Sequence, residues 1–138
     1  MFERHITALL SLLLLVMSPG LAMAEEETPQ AHLFSYYTLE PELTTNFHTT
    51  GNKLGYIRVQ IDIMVAHDSY LPILQQHDPL IRDTVVALLG EQDENTIKSL
   101  PGREELRKTM LDEINAMLLV ETGKTLVSDL LFTKYLYQ

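Results

Sequence analysis

The chain has 138 residues, no cysteine, and 19 acidic against 10 basic residues, for a net charge of −9. That length argues for a single domain. The charge repels phosphate backbones and anionic lipid, which excludes nucleic-acid binding and a polybasic membrane contact. The lack of thiols excludes disulfides, thiolate metal sites and thiol catalysis.

In chain order, Arg4 and His5 precede an apolar run from Ile6 to Met17, followed by Pro19-Gly20 and Ala22-Met23-Ala24. A short basic region, an apolar stretch and a small-residue site predict a secretory signal peptide over residues 1–24, cut between Ala24 and Glu25. The alternative is an uncleaved membrane anchor. As a helix the run spans only about 18 Å, against a hydrocarbon core of roughly 30 Å. Extension to Ala24 must pass Pro19-Gly20, which favours a break. The segment carries one acid, Glu3, and one base, Arg4, so its loss leaves the net charge unchanged. Residues 25–31 (EEETPQA) read as an acidic flexible leader, either a solvated tail or a tether.

The domain proper is expected over residues 32–138. A short strand is predicted over His32–Leu39, stopped before Pro41. A weaker strand, edge or partly exposed, follows over Glu42–His48, turned by Thr50-Gly51-Asn52-Lys53 into the strongest pattern of the chain. There Ile57, Val59, Ile61, Ile63 and Val65 alternate with Arg58, Gln60, Asp62 and Met64. A period of two places the five β-branched side chains on one buried face. Each is worth about 2 kcal/mol on burial, most of it offset by conformational entropy.

Asp68 and Ser69 are placed to cap a short helix, Tyr70–Gln76, and Asp78 to cap a second, Pro79–Leu89, ended by Gly90. Ile81, Val85, Leu88 and Leu89 share one face of it. Thr96–Leu100 reads as one helical turn, Pro101-Gly102 as a break, and Arg103–Leu118 as a long helix. Its stripe is Leu106, Met110, Ile114, Met117 and Leu118, with Glu104 and Lys108 paired on the wet side. Leu126–Tyr137 reads as a strand whose apolar density predicts a central position covered on both faces. Grouped strands followed by helices predict an α+β fold, an antiparallel sheet with helices on one face.

Sites of chemistry are scarce. Gly123-Lys124-Thr125 resembles the end of a phosphate loop, but Leu118 stands where that loop needs glycine and a helix precedes it. His67-Asp68 and His77-Asp78 fit helix caps better than a metal centre, and no metal or cofactor is expected. None of Ser35, Ser69, Ser99 and Ser128 sits in a nucleophile elbow. No catalytic residue is assigned, and an enzyme is not expected.

Four patches together resemble the FliL family of flagellar basal-body-associated proteins. They are Gly55-Tyr56-Ile57-Arg58-Val59 with its continuation; Pro79-Leu80-Ile81-Arg82-Asp83 with Leu88-Leu89; Gly102, Leu106-Arg107 and Ile114-Asn115; and the ending Leu131-Phe132-Thr133-Lys134-Tyr135-Leu136-Tyr137-Gln138. The resemblance spans about residues 36–138. It implies a domain similar to the stomatin-type (SPFH-like) fold, periplasmic at the inner membrane near the flagellar basal body. It also implies a homo-oligomer that contacts the MotA–MotB stator and supports rotation and motility without catalysis. Arg82, Asp83, Phe132, Thr133 and Gln138 match family positions and are read as structural. The family usually keeps a transmembrane helix, whereas this N-terminus reads as cleavable, leaving membrane contact only to an uncut chain. A periplasmic binding or adaptor domain without a flagellar role is the competing reading. A metal-dependent hydrolase built on His67, Asp68, His77 and Asp78 is a third.

Overall fold

The computed structural model describes residues 34–138; the expected signal segment, its Ala24–Glu25 cleavage site and the acidic leader lie outside the described residues. The order of elements is β1 (Ser35–Thr38), β2 (Leu43–Phe47), β3 (Gly55–Val65), a 3-10 turn (Asp68–Tyr70), α1 (Leu71–Gln76), α2 (Asp78–Gly90), α3 (Glu94–Lys98), α4 (Leu100–Thr122) and β4 (Val127–Tyr137). The class is α+β, with a four-stranded antiparallel sheet.

Strand β3 is the organising element. Along one edge it pairs first with β2, from Gly55 to Val59, and then with β1, from Asp62 to Val65. Along its other edge it pairs with β4 over Ile57–Val65. Its burial alternates as the period of two predicts: Ile57, Val59, Ile61, Ile63 and Val65 are all fully buried, and Tyr56 and Arg58 are exposed. The buried face meets Ile81, Val85 and Leu89 of α2, and Leu106, Met110, Ile114 and Leu118 of α4, in one cluster. Among the described residues no polar or charged side chain is buried. That is the expected state of a core held by packing alone, without crosslinks.

Strand β4 departs from expectation. It is not central: it pairs with β3 only, and beyond Leu130 none of its residues is buried. Its apolar residues divide between two faces. Val127, Leu130, Phe132, Tyr135 and Tyr137 lie opposite the buried residues of β3, while Leu131 and Leu136 lie on the outer face with Asp62 and Arg58. Dense apolar composition therefore reflects one buried face plus an exposed one, 39% for Leu131 and 55% for Leu136. Two bulges, at Ser128 and Thr133, keep the alternation in step with β3.

The helix starts also differ. Asp68 and Asp78 make no side-chain cap; the N-cap of α2 is His77, and Asp78 is already its first residue. The carboxylates instead fasten helices to β1. Asp68 Oδ1 accepts from Ser35 Oγ at 3.1 Å, and Asp78 Oδ1 accepts from the Tyr37 hydroxyl at 2.9 Å. Pro101-Gly102 is no break but the first turn of α4, because Ser99 caps it by accepting from the Gly102 N–H at 3.1 Å. Proline costs nothing there, since first-turn N–H groups have no helical partner. Gly102 is required by a close approach: a Cβ would sit 2.6 Å from Thr96 Cα. Asp93 caps α3 through the Thr96 N–H at 2.8 Å.

Candidate interaction surfaces

Two edges of the sheet carry the residues singled out in the sequence. The first is the outer edge of β2. Tyr56 of β3 exchanges both backbone hydrogen bonds with Gln138, while Ile61 accepts from Leu39 on the opposite edge. Even-numbered residues of β3 therefore bond toward β4 and odd-numbered ones toward β1 and β2. Leu43, Thr45 and Phe47 face Val59, Ile57 and Gly55 and bond inward; Thr44 and Asn46 turn their N–H and C=O groups away from the sheet. The far end of this edge is closed, where His48 N–H donates to Gln92 O at 3.0 Å.

At the near end, β2 and α2 diverge around an open groove of about 580 Å³, lined by Glu42, Leu43 and Thr44 on one wall and Asp78, Pro79, Arg82, Asp83 and Val86 on the other. Arg82 and Asp83 are thus brought together with β2, a neighbourhood that no sequence spacing showed. Arg82 Nη1 donates to Pro41 O at 2.7 Å, holding the chain just ahead of β2. Asp83 is exposed, and among the described residues no Lys or Arg nitrogen lies within 4 Å of its carboxylate. Glu42 reaches over the outer face of the sheet to Arg58, at 3.7 Å, and to Lys134. Burial, then the hydrogen bond to the Asp78 carboxylate, pushes the Tyr37 phenol up to about 12. Its neutral form is thereby favoured as the tie between β1 and α2.

The second surface is the outer edge of β4. By the same alternation Val127, Leu130, Phe132, Tyr135 and Tyr137 turn their backbone groups away from β3. Helix α4 satisfies the first part. The Asn115 amide donates to Val127 O at 2.9 Å and accepts from Val127 N–H at 3.0 Å, as a neighbouring strand would. Arg107 pairs with Asp129 and reaches Leu130 O at 3.3 Å, while Asp129 accepts the Leu130 N–H at 2.8 Å. Glu104, bonded to Arg107 at 2.7 Å, keeps that guanidinium firmly charged. The same bond lowers the Glu104 carboxyl below its ordinary range.

Phe132, Thr133 and Gln138 shape this strand. Phe132 packs edge-on to Tyr135, centroids 5.1 Å apart; Thr133 is the bulge; Gln138 closes the ladder on Tyr56. Tyr135 donates to Ile97 O at 2.9 Å and carries the Arg103 guanidinium 4.2 Å from its ring centre.

The remaining motifs lie at helix ends. Gly123 sits at φ 75° as the C-cap of α4, its N–H spent on Leu119 O at 2.9 Å, so it cradles no phosphate. His77 Nδ1 lies 2.8 Å from Ile73 O within its own turn. Among the described residues no group of three histidine or carboxylate side chains could hold a metal ion. Nor is any helix among them long and apolar enough to cross a membrane. Sequence reading missed Ser99, Asp93 and Asn115 as anchoring groups. Ser99-Leu100-Pro101 is a cap-and-proline signal that was legible, whereas Asn115 has none, because its partner lies in another element.

A grooved edge, a half-covered edge and a core without buried polar side chains among the described residues define a small α+β domain with stretches of strand edge left open. The chain belongs to the FliL family: residues 36–138 match the model of the flagellar basal body-associated protein FliL. It is also 30% identical over 102 residues to the flagellar protein FliL of Aquifex aeolicus (strain VF5), a match covering 74% of this chain. The match spans 60% of that protein's length.

Proposed function

We propose that this chain is a non-enzymatic accessory of the flagellar motor that contacts the MotA–MotB stator and supports rotation, as part of a homo-oligomer. Family membership over residues 36–138 carries the reading. Open strand edges beside complementary charge are ordinary means of protein contact and agree with it. The domain over residues 32–138 is proposed to lie in the periplasm at the inner membrane, delivered by residues 1–24. Deletion should abolish or weaken swimming and swarming while filaments still assemble. Normal motility of the deletion strain would sink the proposal and favour an adaptor without a flagellar role. Intact mass of the endogenous protein tests the N-terminus. A periplasmic species beginning at Glu25 supports a cleaved signal peptide, and a full-length species in the membrane fraction supports an anchor.

A further inference from the structure

We infer that the groove between β2 and α2 receives an extended segment of a partner protein bearing lysine or arginine, added as a short strand to the outer edge of β2. This names a partner chemistry for the interaction role proposed above and rests on it. Three observations combine. The backbone N–H and C=O of Thr44 face the groove rather than the sheet, so a strand laid there finds ladder partners. The helix wall offers apolar contact from Pro79 and Val86, on which the side chains of such a strand can rest.

The charge balance selects the occupant. Glu42 is already matched by Arg58 and Lys134, and Asp78 is bonded to Tyr37. Arg82, the groove's one cation, is turned to Pro41 O. Asp83 is left at the rim with no cation within 4 Å among the described residues. A lysine or arginine of the incoming segment completes it, and a segment rich in acids is repelled by the chain's net charge of −9. The closed end at His48 and Gln92 makes the segment enter from the Glu42 side.

The test titrates the isotope-labelled full chain with two short synthetic peptides, one alternating valine and lysine, the other alternating valine and glutamate. The lysine peptide should shift the amide resonances of Thr44, Asn46 and Asp83, and the glutamate peptide should not. Asp83→Lys should weaken binding about tenfold, whereas Asp112→Lys, an equal charge change on the exposed side of α4, should leave it unchanged. Thr44→Pro removes an outward N–H without breaking a ladder bond and should weaken binding similarly. No response to the lysine peptide, equal loss with Asp112→Lys, or shifts confined to Phe132–Tyr137 overturns the inference. In cells the two proposals separate. If deletion abolishes motility but an Asp83→Lys strain swims normally, the flagellar reading stands and the groove falls. If the deletion strain swims normally the flagellar reading falls, and the titration alone judges the groove.

Discussion

The two halves of β4 pair with the same strand, yet their outer edges have opposite fates. Over Val127–Leu130 the edge is finished by side chains of α4 and by Asp129, which supply the donors and acceptors of a missing strand. Over Phe132–Tyr137 no side chain of the described residues does this for the outward backbone. The difference lies in the helix. Asn115 and Arg107 lie eight residues apart in α4, about two turns, and so project on one side toward β4. Nearer its N-terminus, α4 presents Arg103 to the face of Tyr135 instead of to the strand's edge. A sheet edge is thus protected residue by residue, by whatever a neighbouring helix can reach, and an unprotected stretch is a place where another chain can pair.

Proline substitution breaks this comparison most strongly. Leu136 bonds inward to Arg58, so Leu136→Pro should cost about 2–3 kcal/mol. Tyr137→Pro, whose N–H points outward, should cost less than about 1 kcal/mol beyond the loss of the ring itself, which Tyr137→Ala measures. Equal losses in chemical denaturation would mean that the alternation is misassigned. Asn115→Ala strips both backbone groups of Val127 of their partners and should cost about 2 kcal/mol. Arg107→Ala should cost about 1–2 kcal/mol by leaving Asp129 and Leu130 O unpaired, with Arg107→Lys recovering part of it. Hydrogen exchange sharpens the contrast without mutation: the Val127 amide should exchange far more slowly than those of Tyr135 and Tyr137.

The smallest effect concerns the other edge. Because the Tyr37 phenol is raised to about 12 in the fold, its contribution is intact below pH 10 and is lost as pH climbs from 10 toward 12. Tyr37→Phe should be less stable than the parent near pH 8, and the difference should shrink above pH 10 in denaturation curves.

Where the apolar pattern is strictly periodic, the sequence alone names the buried face. The alternation from Ile57 to Val65 names the inner face of β3; of the helix stripes, Ile81, Val85, Leu89, Leu106, Met110, Ile114 and Leu118 are buried against it, while Leu88 and Met117 are only partly buried at its margin. Those signals are local, because side-chain direction follows from the helical and strand periods alone. The edge position of β2 was likewise legible in its thin apolar content. The central position expected of β4 failed, because apolar density does not reveal how many strands flank a strand. The cap roles of Asp68 and Asp78 failed for a related reason: Ser35 and Tyr37, which lie far off in sequence, compete for the same carboxylates. The groove that joins Arg82 and Asp83 to Glu42 and Thr44 exists only once α2 packs beside β2. By itself the sequence determined the fold class, the core faces and the family, all encoded in short-range pattern. The tertiary structure alone decided which backbone edges stay open, since that depends on contacts between residues remote in the chain.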